Sequence, residues 1–293
     1  MLDTQTAPLR AARELVHLHG VEVDRCDILQ NASTLVVRLS ESLVARVVVD
    51  REGPRGGMAW FARENAVAQH LASLGAPVIP LHAQMPAGPH EHRGFVVNFW
   101  QYVTVMPISV PPELMGDALQ RCHTALRTFP GQLPRLAILD ESLEILGRLQ
   151  RSALMGEADL HLLRACLMMA QVQLAGLSHQ ALHGDAHEGN LLATPTAVLW
   201  TDWEDTFLGP VEWDLASLIW NEHVLHRNTA HVEAVFAGYR RAGGVFSEAA
   251  LIPCLMARAA VMCAWYPLLY PQPSAERQFK MQRRLSWLRE QIE

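Results

Sequence analysis

Over the first hundred positions, short β-branched and apolar runs alternate with polar breaks. TLVVRL (34–39) and LVARVVV (43–49) are two such runs, separated by Ser40, Glu41 and Ser42, and they predict a β-hairpin. The Gly/Pro-rich REGPRGG (51–57) is a break. In MAWFARENAVAQHLASLG (58–75) the apolar positions Trp60, Phe61, Val67, Ala68, Leu71 and Leu74 fall at helical spacing, and Gly75 stands where the helix would end. MPAGPHEHRG (85–94) predicts a loop and FVVNFWQYVTV (95–105) a further strand that runs out into a connection. From about residue 111 the pattern turns helical, with helices predicted at 112–129, 140–154, 157–177, 227–242, 247–265 and 274–292. Only 181–213 interrupts it, with short apolar runs, a polar loop and a Gly-Pro turn. The expected fold is α+β and two-lobed. A small β-rich lobe over 1–103 precedes a larger helical lobe over 104–293, with ligands in the cleft between them.

Composition narrows the function classes. Half of the 293 residues are hydrophobic and 18% are charged, so the chain can bury a real core. A net charge of -6 argues against a nucleic-acid partner and suits a cationic small substrate. The five cysteines are scattered without a CxxC pair, as expected of reduced, mostly buried thiols in a cytoplasmic protein. The first twenty residues lack the apolar run of a signal peptide. LIPCLMARAAVMCAWYPLLY (251–270) has the length of a membrane span. Arg258 near its centre would cost roughly 2.5–3.5 kcal/mol there, so a buried helix and no membrane partner are expected.

Candidate chemistry concentrates in LHGDAHEGNLL (182–192). With His179, the histidines His183 and His187 fall four apart, a spacing that would put a zinc site on one helical face. Yet Gly184 and Gly189 would each cost a helix about 1 kcal/mol relative to alanine, and Asp185 and Asn190 favour turns. The stretch therefore reads as a loop, and the histidine spacing loses its meaning. A loop of carboxylate and amide oxygens suits phosphoryl transfer. That chemistry needs a carboxylate to take the attacking hydroxyl's proton and oxygen ligands for Mg²⁺. Asp185 is a candidate for the first role; Asn190 and Asp202, after the apolar run AVLW, are candidates for the second. The competing reading is that these residues only make turns.

The ordered set His183-Gly184-Asp185-x-x-x-x-Asn190, then Asp202, then Gly209-Pro210-x-x-x-Asp214-Leu215-Ala216 resembles the aminoglycoside phosphotransferase/choline kinase family, whose fold is protein-kinase-like. The resemblance implies transfer of the γ-phosphoryl group of a Mg²⁺-bound nucleoside triphosphate, ATP or GTP, to a hydroxyl of a small molecule. An aminoglycoside, choline or another amino alcohol, or a sugar are the acceptor classes. Asp185 would be the catalytic base, Asn190 and Asp202 the Mg²⁺ ligands, His183 a support of the loop and Asp214 its brace. His187 falls at a variable position and reads as a spacer or an indirect contact.

The small lobe carries two misplaced charges. Glu64 lies in the middle of the apolar stripe of 58–74, and Arg46 sits between Ala45 and Val47; each is costly unless paired. Kinase-like folds tether a strand lysine over the phosphates to a helix glutamate, and the resemblance puts Arg46 in that lysine's place. A purely structural pair, or pairing through Arg38, are the other readings. The stretch that would cover the phosphates, LQNASTLVV (29–37), has no glycine, though Ala32 and Ser33 are small. In NFWQYVT (98–104) the backbone would meet the purine edge, with Trp100 and Tyr102 nearby; otherwise it is an ordinary strand end. Glu204, Asp205, Glu222 and Glu248 are candidates for holding a cationic acceptor, as are the tryptophans at 213, 220, 265 and 287; otherwise they are solvated acids and core. The rival class is a non-catalytic kinase-like module that binds a ligand or partner. The glycine-free loop and Arg46 favour it; the joint presence of Asp185, Asn190 and Asp202 argues against it.

Overall fold

The computed structural model describes residues 3–32, 34–50, 57–152 and 154–292, which fall into two compact units. The first comprises 1–110 together with 190–206, and the second 111–189 together with 207–293.

The first unit is built on one antiparallel sheet. Its strands are β1 (Asp27–Asn31), β2 (Thr34–Arg38), β3 (Leu43–Val48), β4 (His90–His92) and β5 (Phe95–Gln101), in the order β1-β2-β3-β5-β4. Helix α1 (Asp3–Leu18) lays Ala12, Leu15 and Val16 against Leu35, Val37, Ala45, Val47, Val97 and Phe99. Side chains alternate along a strand, so Arg46 projects from the opposite face to Ala45 and Val47. Helix α2 (Met58–Ser73) meets it there, and Gly75, at φ +69°, closes that helix as expected. Three expectations need correction. The loop at 85–94 contains β4, α1 was not expected at all, and residues 27–31, given no element from the sequence, form the edge strand β1. Leu9, Ala12, Leu15 and Val16 carry helical spacing, while Pro8, inside the second turn, removes one backbone hydrogen bond and hides the helix from the sequence pattern.

Residues 190–206 group with the first unit, not with the helical remainder. The hairpin of β7 (Leu191–Ala193) and β8 (Val198–Trp200) is joined to it by backbone hydrogen bonds. Trp200 N donates to Pro77 O at 2.9 Å, Ile79 N to Trp200 O at 3.1 Å, and Met106 N to Ala193 O at 2.8 Å.

The second unit is mostly helical: α3 (Pro112–Leu126), α4 (Ala137–Ser152), α5 (Glu157–Ala175), α6 (Val211–Trp220), α7 (Thr229–Arg241), α8 (Glu248–Leu269) and α9 (Ala275–Ile292). A two-strand pair, β6 (Gln180–Ala181) with β9 (Leu208–Gly209), precedes α6. Helix α8 packs against α4, α5, α6 and α9. It is the one described helix long and apolar enough to cross a membrane, and most of it is buried inside the protein. Helix α6 escaped the sequence pattern because it is buried nearly all round and shows no 3.6-residue apolar stripe. It runs directly into a single π-helical turn at Asn221–His226.

Helices α3 and α7 touch backbone to backbone. A Cβ on Gly116 would lie 2.0 Å from Val235 O, and one on Gly238 only 1.9 Å from Glu113 O. Gly238→Ala should therefore force the helices apart and cost about 2 kcal/mol in urea unfolding. Gly147→Ala is the control: its Cβ would meet nothing nearer than 3.6 Å, and a gain of about 0.5 kcal/mol is expected in mid-helix. Equal stability of the two variants would contradict the close approach.

Candidate active site

The Asp185 loop hangs on a buried carboxylate. Asp214, near the start of α6 and fully buried, accepts from His183 N at 2.7 Å and from Gly184 N at 2.9 Å. Trp213 Nε1 donates to Gly184 O at 2.8 Å, and Asp185 N donates to His183 Nδ1 at 3.3 Å. Gly184 takes φ +86°, a conformation that suits glycine. Behind the carboxylate, His123 Nε2 lies 2.9 Å from Asp214 Oδ2 and its Nδ1 2.8 Å from the Tyr239 hydroxyl. The backbone on both sides of Gly184 is thus fixed by side chains of α6 and by His183 itself. His123 and Tyr239, which no sequence motif marks, are the residues of this network that sequence reasoning missed.

The Asp185 carboxylate is about a quarter exposed. Its Oδ1 is bound by Arg258 Nη2 from the middle of α8, and its Oδ2 lies 3.4 Å from His187 Nε2. Burial favours the protonated acid, but the Arg258 charge, the His187 contact and the nearby His183 outweigh it. The carboxyl is held well below the usual range. Arg258 is a residue that sequence reasoning missed in this role. The signal was present: a single arginine inside an apolar helix needs a carboxylate.

The three histidines do not gather. His179 Nε2 contacts Leu174 O at 2.8 Å, His187 Nδ1 accepts from Gly189 N at 3.0 Å, and His183 serves its own loop. Among the described residues no group of three or more histidine, cysteine or acidic side chains could hold a metal ion, so the zinc reading fails.

In the first unit one guanidinium meets three carboxylates. Arg46 Nη1 lies 2.8 Å from Glu64 Oε1 and 3.1 Å from Asp202 Oδ1, and Nη2 lies 2.8 Å from Glu204 Oε2. Glu64 is 1% exposed, and its other oxygen faces Asn98 Nδ2 at 3.4 Å. Burial pushes the Glu64 carboxyl up, to about 7, against the Arg46 charge. Burial also disfavours the Arg46 cation, but Glu64, Asp202 and Glu204 together hold it charged. The two partners pull in opposite senses. Because arginine does not give up its proton, the ionic pair is the form that the 2.8 Å contact supports. Arg38 is not the partner of Glu64: it stacks on Tyr102 at 3.6 Å and donates to the carbonyls of Ser40 and Glu41.

Asn190 and Asp202 flank the β7–β8 hairpin at its open end, where Thr201 N donates to Asn190 O at 3.0 Å. Asp202 has left-handed backbone, φ 66°, a conformation costing about 1 kcal/mol that clusters at functional sites. An amide oxygen and a carboxylate are hard donors of the kind Mg²⁺ takes, usually few in number with water and phosphate completing the shell. Three carboxylates around one cation also leave an excess of two negative charges for a divalent ion to offset. The residues therefore fit Mg²⁺.

The remaining candidates scatter. Ser33 lies outside the described residues. Trp100 is buried in β5, and Tyr102 follows it, its N donating to Ser42 O at 2.6 Å. Glu204, expected toward the acceptor, instead binds Arg46, and Asp205 lies in the same 203–205 turn of the first unit. Glu222 belongs to the second unit, where it accepts from Asn228 Nδ2 at 3.1 Å; Glu248 pairs with Arg240. Trp213, Trp220, Trp265 and Trp287 are all buried. Trp220 holds the chain's own cation, Arg284, at 4.3 Å. The core reading of these tryptophans is the right one.

The model of the phosphotransferase enzyme family (APH) matches residues 15–251. Solved structures share the fold across nearly the whole chain. The amicoumacin kinase hAmiN, in complex with AMP-PNP, Ca²⁺ and Ami, is 13% identical with a TM-score of 0.73, covering 99% of this chain and 96% of that one. A choline/ethanolamine kinase family protein from Mesorhizobium loti is 19% identical, TM-score 0.68, covering 97% and 94%. Choline kinase LicA from Streptococcus pneumoniae is 15% identical, TM-score 0.66, covering 95% and 97%. These likenesses establish the kinase-like fold. No curated protein matches the sequence.

Asp185→Asn leaves the buried Arg258 without its carboxylate, at an expected cost of about 3 kcal/mol at neutral pH. For a depressed carboxyl, the stabilisation is present above the unfolded value near 3.8 and is lost only as pH falls through the lower folded value. The gap in unfolding free energy between wild type and variant should stay level from about pH 8 to about pH 5 and narrow only in stronger acid. A gap that closes between about pH 7 and 5 would rule out the ionic pair.

Proposed function

The chain belongs to the phosphotransferase enzyme family, and we propose that it moves the γ-phosphoryl group of a Mg²⁺-bound nucleoside triphosphate to a hydroxyl of a small molecule. The observation that carries this reading is the Asp185 carboxylate on a loop whose neighbouring peptide groups are fixed by Asp214, Trp213 and His183. Such fixation is what proximity catalysis requires of a base. Two of the similar solved structures add support: one is a kinase with AMP-PNP and Ca²⁺, and another is spectinomycin phosphotransferase with ADP and spectinomycin.

In the reaction the acceptor's hydroxyl oxygen attacks the γ-phosphorus. The new O–P bond forms as the bond from γ-phosphorus to the β,γ-bridging oxygen breaks, and the nucleoside diphosphate leaves with that electron pair. Asp185 takes the hydroxyl proton. Asn190 and Asp202 are the residues that would hold Mg²⁺, which would supply positive charge to offset the phosphate chain. Arg46, fixed by Glu64, supplies a permanent positive charge for the phosphate oxygens. The backbone at 103–104, past the last pairing of β5, is offered to the purine edge. ATP and GTP both suit this scheme.

Thermal-shift titration with ATP and GTP, each with and without Mg²⁺, tests the donor site. A Mg²⁺-dependent rise of the midpoint is expected, and Asp202→Asn should remove its Mg²⁺ dependence. Asp185→Ala should keep the shift while transfer to an acceptor falls about 10²–10⁴-fold. An unchanged Mg-nucleotide affinity in Asp202→Asn, or full turnover in Asp185→Ala, would overturn the assignment of that residue.

A further inference from the structure

Arg284, on helix α9, is a buried cation without a counter-charge. It is 6% exposed. Its Nη2 donates to the Asn221 amide oxygen at 3.3 Å, and its guanidinium carbon stands 4.3 Å from the centre of the Trp220 ring. Among the described residues no carboxylate pairs with it and its Nε has no hydrogen-bond partner. A ring face and one neutral hydrogen bond offset only part of the cost of burying a guanidinium. Burial accordingly pulls its hold on the proton below the usual arginine range, and the like charge of Arg258 pulls the same way. By contrast, Arg46 in β3 and Arg258 in α8 each have a carboxylate. Asp159, which like Arg284 acts on the buried Cys263 thiol, is bound by Arg289.

Arg284 does not stand by itself. The Trp220 ring also lies 6.0 Å from the guanidinium carbon of Arg258, whose Nε likewise has no partner among the described residues. The Tyr266 hydroxyl on α8 is buried and without a partner too. Burial pushes that phenol up, against the charges of Arg284 and Arg277. Two guanidinium groups thus share one indole, with a phenol close to one of them. Buried donors in this state call for a partner from outside, and charged ones for an anion. The cluster lies where α6 runs into the π-helical turn, and such turns recur at functional sites. Arg258 joins it to the Asp185 loop, because its Nη2 binds Asp185 Oδ1.

We propose that Arg284, with Arg258 and Tyr266 beside it, binds a carboxylate of the acceptor, which makes the acceptor a small hydroxy acid. This names the acceptor class and rests on the phosphotransferase reading above. The acceptor's hydroxyl gives its proton to Asp185 as the new O–P bond forms. Its carboxylate stays ionised and takes no part in bond making. Arg258, which holds Asp185 and borders the same indole, sets the distance between the two ends.

Thermal shift and transfer from Mg-ATP are measured on the full chain for wild type, Arg284→Met, Arg284→Lys and Tyr266→Phe. D-glycerate, 4-hydroxybutyrate and D-gluconate carry both hydroxyl and carboxylate. Choline and glycerol lack the carboxylate, acetate and inorganic phosphate lack the alcohol, and ionic strength is matched with NaCl. Without ligand, Arg284→Met is expected to raise the midpoint by about 2–4 °C, because it removes an uncompensated buried charge. At least one hydroxy acid at about 10 mM should raise the wild-type midpoint by about 2 °C. That shift should vanish in Arg284→Met, return in part in Arg284→Lys and weaken in Tyr266→Phe. The same acid should be phosphorylated with a kcat/KM about tenfold or more above that of choline and glycerol. Arg284→Met should raise its KM about tenfold while the Mg-ATP thermal shift holds. If Arg284→Met fails to fold, the Lys and Phe variants carry the comparison.

No shift with any hydroxy acid would overturn the proposal. So would a lowered ligand-free midpoint in Arg284→Met combined with hydroxy-acid shifts that Arg284→Lys and Tyr266→Phe leave unchanged, the mark of a structural cation. Shifts with acetate or phosphate, with Mg-ATP hydrolysed but no hydroxy acid phosphorylated, would leave an anion site only and overturn the acceptor class. Preferred transfer to choline or glycerol would do the same. Wild type that binds Mg-ATP yet neither transfers nor hydrolyses it would instead overturn the phosphotransferase reading, and the hydroxy-acid shifts would still decide the anion site by themselves.

Discussion

The Asp214 carboxylate accepts from two successive peptide N–H groups, those of His183 and Gly184, while fully buried. Together with the Trp213 indole, which donates to Gly184 O, it holds the Gly184 peptide in its left-handed turn. A buried carboxylate of this kind is tolerable only if its lone pairs are filled, and His123 completes the set from α3. The cost of placing the charge is therefore what makes the loop rigid: neither partner can let go without stranding the other. The chain Tyr239–His123–Asp214 extends that rigidity to α7, which touches α3 so closely that Gly116 and Gly238 have no room for a side chain. The loop that carries Asp185 is thus tied to a pair of helices in backbone contact.

The same logic runs through three other charges in apolar surroundings. Arg46 inside β3, Glu64 inside the stripe of α2 and Arg258 inside α8 are each expensive alone, and each has found a counter-charge. All three were readable as anomalies, and Arg46 with Glu64 could be paired from sequence because both belong to short, strongly patterned elements. Arg258 was equally anomalous but gave no hint of its partner. Asp185 lies 73 positions away in a loop, and periodicity says nothing about which loop meets which helix. Glu204 was misassigned for a related reason. It follows Asp202 by two residues, and only the turn at 203–205 shows that its carboxylate joins Asp202 on Arg46.

What the sequence revealed of the fold depended on contrast between faces. Helix α2 and strands β2, β3 and β5 each have one apolar and one mixed side, and their predicted bounds stand within a few residues. Helix α6 was invisible because nearly every residue from Glu212 to Trp220 is buried, which erases the stripe. Strand β4 was hidden in a run of His, Glu and Arg whose ladder is supplied entirely by its neighbour β5. The hairpin at 190–206 was recognised as short apolar runs. Its membership of the first unit was not, because that is decided by backbone hydrogen bonds to Pro77, Ile79 and Met106, which side-chain identities do not encode.

Charge placement bears on what kind of acceptor the protein would take. The acidic balance of the sequence and the four tryptophans suggested a cation-binding surface. In the structure Glu204 is committed to Arg46, Glu248 to Arg240 and Asp185 to Arg258, while the tryptophans lie in the core. Each of those carboxylates already has a cation from the chain itself, so the net charge of -6 overstates what a cationic ligand would meet at these groups. If Asp185 is the base of the proposed transfer, recognition of an acceptor would rest on shape and hydrogen bonding near its loop more than on long-range attraction to these carboxylates. Directional contacts of that kind discriminate strongly between a partner that matches them and one that leaves a polar group unpaired.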